Sequence, residues 1–400
     1  MSWPSVQFDS IISDSAFGPR FAGELYDDDG NVATLRTTDL SEDGVISLGT
    51  MPCANIDEER FTGHFLQVGD LVISRSGRIG TTAIFDGYHK PVLPGAFLIR
   101  FRLDKEKADP LFFRYFFNSS VGQQRLLSVA RGAAQQNINI TNVKTLAVPL
   151  PPLSAQQEIA TTLNLFDSLI ENNRRRISIL EQSARLLYRE WFVYLRFPGH
   201  EHVKVVDGVP EGWAHRYIST IAEINTSSLS RKFDGEIEYI DIASVTTGSI
   251  NETTRYAFAD APGRARRIVQ HGDLIWSCVR PSRASYALVW HPVENLIAST
   301  GFCVIRPTKI PPTYLYFALS TQDFIGYLSN NAKGAAYPAV VSKDFENYEM
   351  LVPTPTLLDD FHGSTEANFH QIEVLKQQNT KLREARDLLL PRLMSGEIQV

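Results

Sequence analysis

Arginine, lysine, amide and aromatic side chains recur in short polar loops of this chain. Their types suit recognition of a nucleic acid better than bond-making. Ser74-Arg75-Ser76-Gly77-Arg78-Ile79-Gly80 sets Arg75, Ser76 and Arg78 straight after an apolar run. Cys278-Val279-Arg280-Pro281-Ser282-Arg283 sets Arg280 and Arg283 in the corresponding place of the second half. An arginine fork takes guanine O6 and N7 together or clamps a phosphate. A second loop, Arg131-Gly132-Ala133-Ala134-Gln135-Gln136-Asn137, offers Arg131, Gln135, Gln136 and Asn137. Amide side chains pair bidentately with adenine N6 and N7. Its counterpart, Lys333-Gly334-Ala335-Ala336-Tyr337, offers Lys333 and Tyr337, and its small residues let backbone approach a duplex. Arg264, Arg266 and Arg267 form a basic cluster in the second half only, suited to phosphate contact. Against each stands a plainer role: a surface salt bridge, a turn or a solvated run.

The constellations that perform catalysis are missing. There is no GxxxxGK(S/T), no GxGxxG after a strand, no HExxH, no GxSxG and no EF-hand loop. Pro151-Pro152 and Pro311-Pro312 lack the flanking polar and aromatic residues that would hold a flipped base, so they read as strand-to-helix turns. His200 and His202 read as a solvated linker, and Asp27-Asp28-Asp29 and Asp57-Glu58-Glu59 as solvated loops. Cys53, Cys278 and Cys303 lie far apart with no CxxC, which argues against structural zinc and fits a reducing cytosol. No catalytic residue, metal or cofactor is therefore assigned to this chain. The 400 residues carry a formal charge of −6, which argues against coating nucleic acid through bulk positive charge. Local basic loops, or a partner that supplies cations, remain compatible with DNA. The first residues do not read as a signal peptide, and no run of about 18 apolar residues suggests a membrane span.

The elements that position these loops come in two copies. Gly69-Asp70-Leu71-Val72-Ile73-Ser74 recurs as Gly272-Asp273-Leu274-Ile275-Trp276-Ser277. Gly95–Arg100 recurs as Gly301–Arg306, Pro110–Phe117 as Pro312–Leu319, Arg131–Ala134 as Lys333–Ala336, and Val148–Leu153 as Val352–Leu357. Several matches in one order imply a duplicated unit. In each unit a Gly-, Pro-, Thr- and aromatic-rich stretch reads as short strands and turns, with a short helix where Pro110 or Pro312 takes the first helical position. The loops differ more between the halves than the framework does.

After each Pro-rich junction the composition shifts to Gln, Glu, Arg, Leu and Ile. Leu163, Phe166, Ile170, Asn173, Ile177, Leu180, Ala184, Leu187, Trp191 and Tyr194 step by three and four, the pattern of a coiled-coil seam. Ser154 with Gln157 suggests a capping box at its start, and Pro198-Gly199 a stop. Ile372, Leu375, Asn379, Leu382, Arg386, Leu389 and Leu393 repeat the pattern near the C-terminus, where Pro391 should kink or stop the helix. Each stripe needs a cover, and the simplest cover is the other helix, antiparallel under a pseudo-two-fold relation. A seam Asn in each helix, Asn173 and Asn379, would fix register. The expected fold class is α+β: two β-rich domains, 1–152 and 198–355, separated by two long antiparallel coiled-coil helices at 153–197 and 356–400.

With these segments in view, the chain resembles the DNA-specificity (S) subunit of type I restriction–modification enzymes. The resemblance is carried by Gly69–Gly80, by Gly132–Ala160, by Gly212-Trp213 with Ile218–Ile224, and by Leu388–Ile398. It covers essentially the whole chain. Its most specific sign is the Pro-Pro-Leu junction running into Gln156-Gln157-Glu158-Ile159-Ala160; the second copy, Pro355–Phe361, lacks the Gln-Glu-Ile stretch. The resemblance implies two target-recognition domains and no catalytic centre. It implies a bipartite site on double-stranded DNA, and two methyltransferase subunits carrying S-adenosylmethionine. A restriction/translocase subunit can join them, and the implied compartment is the cytoplasm. The competing class is a coiled-coil scaffold that binds proteins without touching DNA.

Overall fold

The strongest repeat forms the centre of a sheet in each half. Gly69 and Gly272 turn with φ of 93° and 84°, a left-handed conformation that glycine adopts without strain. The next residue, Asp70 or Asp273, is almost wholly buried, and the strand that follows is buried at every position. Such continuous burial explains why the run is apolar throughout rather than alternating. The computed structural model describes residues 3–41, 43–130 and 137–398. It divides into one unit of Met1–Glu171 with Asn379–Val400 and another of Asn172–Gln378.

The first unit contains β1 (Ser5–Gln7), β2 (Ile12–Phe17), β3 (Val32–Leu35), β4 (Cys53–Ala54), β5 (Leu71–Ser74), β6 (Thr82–Ile84), β7 (Val92–Pro94) and β8 (Leu98–Leu103). Helices α1 (Pro110–Asn118), α2 (Ser120–Ser128) and α3 (Ile140–Lys144) follow, then β9 (Ala147–Pro149) and the start of α4 (Leu153–Tyr188). One sheet has the order β2-β8-β5-β6, a second β4-β3-β7, and β1 pairs with β9. Strand β3 runs parallel to β7; the other pairings are antiparallel. Asp109 caps α1, its Oδ1 accepting the Phe112 N–H at 2.9 Å, with Pro110 first in the helix. That helix packs Phe112, Phe113, Phe116 and Phe117 against Phe8 and Phe101.

The second unit contains the hairpin β10 (Val205–Val206) and β11 (Val209–Pro210), β12 (Ala214–Tyr217), α5 (Ile218–Ile221), β13 (Ala222–Ile224) and β14 (Glu236–Ile240). The chain continues through β15 (Val245–Thr246), β16 (Ser249–Ile250), β17 (Thr254–Ala257), β18 (Ala265–Ile268), β19 (Leu274–Ser277), β20 (Tyr286–Leu288), β21 (Leu296–Ser299) and β22 (Phe302–Pro307). Helices α6 (Pro312–Ala318), α7 (Gln322–Asn331) and α8 (Ser342–Glu346), strand β23 (Glu349–Val352) and α9 (Pro355–Ser395) complete it. The sheets follow the first unit, with one strand more in the second sheet: β13-β22-β19-β20, β17-β14-β21-β18 with β14 and β21 parallel, and β12 with β23.

The hydrogen bonds repeat as well. Asp70 accepts the Gln67 N–H at 2.8 Å and both ends of the Arg102 fork at 2.8 Å. Asp273 accepts the Gln270 N–H at 2.8 Å and the Arg306 fork at 2.8 and 2.7 Å. Arg306 therefore corresponds to Arg102. The match of Gly95–Arg100 with Gly301–Arg306 is out of step, because Ser74 pairs with Leu98 where Ser277 pairs with Phe302. Arg100 is wholly buried and donates to Asp14 at 2.7 Å instead.

Within the first unit, the early part of α4 and the last part of α9 share one core. Ile159, Ala160 and Leu163 cluster with Leu393 and Met394, and further along α4 Asp167 meets Arg386. Rising numbers on one helix meet falling numbers on the other, so these segments are antiparallel. The Asp167 carboxylate accepts from Arg386 Nη1 at 2.6 Å, from the Tyr115 hydroxyl at 2.7 Å and from Arg114 Nη2 at 3.0 Å. Within the second unit the late part of α4 and the early part of α9 are also antiparallel. Leu180 faces Asn368, whose Nδ2 donates to its carbonyl at 3.4 Å, while Tyr188 packs on Phe361. Here the contact is aromatic: Phe317 stands where Tyr115 stands in the first unit and packs on Tyr188 and Phe369.

Of the residues assigned to the helix seam, Leu163, Ile170, Asn173, Ala184, Ile372, Leu375, Asn379 and Leu393 are buried. Phe166, Ile177, Leu180, Leu187, Leu382 and Leu389 are half-buried. Three expectations require correction. Tyr194 lies beyond the helix and is 47% exposed, because α4 gives way to a π-turn over Arg189–Val193. Helix α9 runs through Pro391 to Ser395, since a proline so close to the end forfeits only a late backbone bond. Ser154 and Gln157 are exposed and lie inside the first turn of α4 rather than capping it. The buried neighbour Gln156 ties the junction instead: its amide reaches the Asp109 N–H at 2.9 Å, the Pro151 carbonyl at 2.9 Å and the Lys107 carbonyl at 3.0 Å.

Two predictions follow from these pairs. Asp70→Ala and Asp273→Ala should each destabilise the chain by about 3 kcal/mol, the low end for breaking a buried ion pair. Urea unfolding checks this, and wild-type midpoints would deny the fork its structural role. Burial raises the Asp167 pKa, but the Tyr115 and Arg386 hydrogen bonds and the charges of Arg114 and Arg386 outweigh it, leaving the carboxyl below its usual range. The stabilisation is complete above the unfolded value of about 3.9 and is lost as pH falls through the lower folded value. Wild-type stability should thus fall more steeply below about pH 4 than that of Asp167→Asn; superimposable profiles would contradict it.

Candidate nucleic-acid interface

Strands β5 and β19 each deliver their chain into a polar loop. In the first half the Ser74 N–H donates to Thr81 O at 3.0 Å and closes the loop, and the Ile138 N–H donates to Arg75 O at 3.1 Å. In the second half the Ser277 N–H donates to Ser285 O at 2.9 Å, and the Val340 N–H to Cys278 O at 2.9 Å. The same ladder thus ties the loop after the central strand to the segment leading into α3 or α8. Sequence reasoning singled out both segments in each half, and the backbone brings them together.

The arginines of the two loops are not register equivalents. The bonds above align Arg75 with Cys278, and the left-handed residue Gly77, at φ 72°, with Arg280, at φ 50°. Gly80, at φ 85°, aligns with Ala284, at φ 51°. A non-glycine residue in this region costs about 1–2 kcal/mol. Placement of Arg75 and Arg78 opposite Arg280 and Arg283 is corrected accordingly, because the second loop is one residue longer between its closing bonds.

Arg75 is half-buried, with its guanidinium carbon 4.6 Å over the Phe17 ring and Nε buried without a partner among the described residues. Ser76 is buried and Arg78 exposed, the Arg78 carbonyl accepting the Ser74 hydroxyl. Asn137 is half-buried beside this loop. Arg131, Gln135 and Gln136 lie outside the described residues. In the second half, Arg264, Arg280, Arg283 and Tyr337 line one open cavity of about 620 Å³, with Asp241 and Ser277. The Arg280 guanidinium carbon lies 4.7 Å over the ring of Tyr337, which is 69% exposed. Lys333 is exposed and its backbone pairs with Ala339. Arg266 sits 4.6 Å over Phe258, and Arg267 is half-buried with Nε unpartnered. These two are set on β18, whereas Arg264 precedes it and reaches the cavity.

Arg36, Arg100, Arg102, Arg114, Arg306 and Arg386 each meet a carboxylate. Among the described residues, the Arg264, Arg280 and Arg283 side chains make no ion pair or hydrogen bond. Burial pushes the Cys278 thiol up to about 11, which removes thiolate chemistry from this loop. Among the described residues no group of three or more His, Cys, Asp or Glu is placed to hold a metal ion.

Sequence reasoning missed Phe17 and Asp241, which lie far along the chain from the arginines they accompany. It also missed Arg20 and Arg60, which flank an open cleft of about 530 Å³ lined in part by Phe21, Asn55 and Phe61. No spacing rule would have found them, since chain crossings in the β-rich part create the proximity.

The family of the type I restriction modification DNA specificity domain matches residues 13–182. The chain is 24% identical over 383 residues to the putative type I restriction enzyme MjaX specificity subunit of Methanocaldococcus jannaschii, covering 92% of this chain and 87% of that one. It is 22% identical over 299 residues to the MjaIX specificity subunit of the same organism, covering 72% and 69%. Its fold matches the crystal structure of the type I restriction-modification system S subunit from M. genitalium at a TM-score of 0.62 and 18% identity, over 98% of this chain and 96% of that one. Duplicated sheets, paired long helices and these likenesses agree: the chain is similar to type I restriction–modification specificity subunits, and the DNA specificity domain accounts for residues 13–182.

Proposed function

We propose that this chain is the non-catalytic DNA-reading subunit of a type I restriction–modification complex. Residues 1–152 form one target-recognition domain and residues 198–355 the other, each reading one half of a bipartite site. The helices at 153–197 and 356–400 set the unread spacer. The observation that carries the proposal is the cluster of Arg264, Arg280 and Arg283, without ion-pair partners among the described residues, around one cavity, where Arg102 and Arg306 of the sheets are paired. Arg75 on Phe17 has the corresponding task in the first half, together with Ser76, Arg78 and Asn137 and with Arg131, Gln135 and Gln136, which lie outside the described residues. Lys333, Arg266 and Arg267 neutralise phosphates beside the second reader.

Two methyltransferase subunits, holding S-adenosylmethionine, are the proposed partners, with a restriction subunit able to join. Apolar residues left exposed along α4 support such docking: Leu165 and Leu169 in the first unit, Ile179 and Leu186 in the second. The partners then supply the chemistry and part of the phosphate neutralisation that a chain of charge −6 lacks. The free thiols of Cys53, Cys278 and Cys303 suit a reducing cytoplasm. No helix of the described residues is long and apolar enough to cross a membrane.

With its methyltransferase, the chain should bind its site at about 10⁻⁸ M or tighter in a salt-dependent gel shift. No shift would favour the protein-binding scaffold. Arg75→Ala with Arg78→Ala should cost about 1–3 kcal/mol of discrimination in the first half-site alone. Wild-type selectivity would remove both residues from the site. Four residues added to each of α4 and α9 lengthen them by about 6 Å. The preferred spacer should then grow by one or two base pairs, and an unchanged spacer would contradict the ruler.

A further inference from the structure

We infer that Arg280 is the specificity-determining residue of the second reader and that it recognises a guanine; the inference rests on the DNA-reading role proposed above. Its backbone supplies the first argument. Arg280 occupies a left-handed position, φ 50°, where the equivalent loop of the first half has Gly77. Counted from the shared bond at the end of the central strand, the left-handed position is held by glycine in the first half, so the backbone alone does not call for an arginine. An arginine here strains the chain, and strain held in place by its surroundings marks a residue kept for its side chain.

Its side chain supplies the second. The guanidinium rests 4.7 Å over Tyr337, and among the described residues it has no carboxylate or hydrogen-bond partner. The support is built in: the Arg280 N–H donates to the Pro338 carbonyl at 2.7 Å, next to Tyr337, and the Lys333–Ala339 backbone pair closes that segment. The ring limits the movement of the guanidinium, whose N–H groups lie in its own plane. A rigid planar fork of this kind matches guanine O6 and N7.

Asp241 supplies the third and separates a base from a phosphate. It is exposed and lines the same cavity, and among the described residues its carboxylate accepts the Ala243 N–H at 3.0 Å and the Tyr239 hydroxyl at 3.3 Å. A carboxylate lining the cavity makes it less hospitable to a phosphate than arginines alone would. It can accept from cytosine N4, so a G·C pair offers acceptors to Arg280 and a donor to Asp241. Arg264 and Arg283, both exposed on the same cavity, are left to meet the backbone. At the Arg280 register the first half has only Gly77, so the two readers cannot use the same contact.

The test is the methylation motif of the complex, read by methylation-aware sequencing in a host free of other methylation, with thermal melting of the purified complex alongside. The wild type should mark a two-part motif with a fixed guanine in the half that changes when residues 198–355 are exchanged. Arg280→Gly should reduce the preference for that guanine about tenfold or more and spare the other half. Its melting temperature should stay level or rise as strain is relieved. Arg280→Lys, which keeps charge but loses the fork, should relax the same position. Four results would overturn the inference: guanine preference intact in Arg280→Gly, a loss spread evenly over both halves, a lowered melting temperature accompanying the loss, or full selectivity in Arg280→Lys. A wild-type complex that marks no two-part motif would remove the DNA-reading role itself, whereas a motif that survives Arg280→Gly removes only Arg280.

Discussion

The buried fork between an aspartate at the head of the central strand and an arginine on its neighbour is the constraint on which each half is built. Asp70 with Arg102, and Asp273 with Arg306, are the same pair made twice. A carboxylate removed from water is costly unless its lone pairs are filled. Here two guanidinium donors and a backbone N–H fill them. That pins the turn at Gly69 or Gly272 to the strand pairing β5–β8 or β19–β22. The far end of the same strand carries the polar loop. Its position is therefore set by a buried pair at the opposite end of the strand, and the loop's own residues are free to serve something else.

The two units then bind their helix segments by different physics. In the first, Asp167 gathers Arg114, Tyr115 and Arg386 into a polar knot. In the second, Tyr188, Tyr314, Phe317 and Phe361 form an aromatic cluster. Both solutions seat a short helix on a pair of antiparallel segments. The first depends on ionisation and the second on apolar burial, which is insensitive to charge. A duplicated framework can therefore diverge internally while its backbone hydrogen bonds stay in register.

What was legible in the residues follows from this division. The duplication was visible because the turn glycine, the buried aspartate and the all-apolar strand admit few substitutes, so Gly-Asp-Leu survives twice. The helices were visible because a seam stepping by three and four needs many residues to agree. Register within the repeat was not. The apparent match of Arg100 with Arg306 arises from a shared Gly and a shared Ile-Arg, whereas the true partner of Arg306 is defined by a carboxylate some thirty residues away. Helix ends were misread where one side chain decides them: Gln156, not Ser154, ties the start of α4, because burial makes its amide bonds compulsory. For the loops, residue types were readable and geometry was not. Arg280, Asp241 and Tyr337 come from separate segments, and only the fold brings them to one cavity.

The left-handed positions of the loops show how such a scaffold changes what it reads. Both halves place two left-handed residues in this loop, Gly77 and Gly80 in one and Arg280 and Ala284 in the other, although the second loop is one residue longer. Glycine meets the backbone requirement at no steric cost, and any other residue adds strain. The framework can tolerate that strain because the loop is closed at both ends by backbone bonds, Ser277 to Ser285 and Val340 to Cys278, that no side chain can remove. Side-chain identity is thereby uncoupled from loop path. A position where the first half has no side chain can hold the principal contact of the second, without any change in the sheet that presents it.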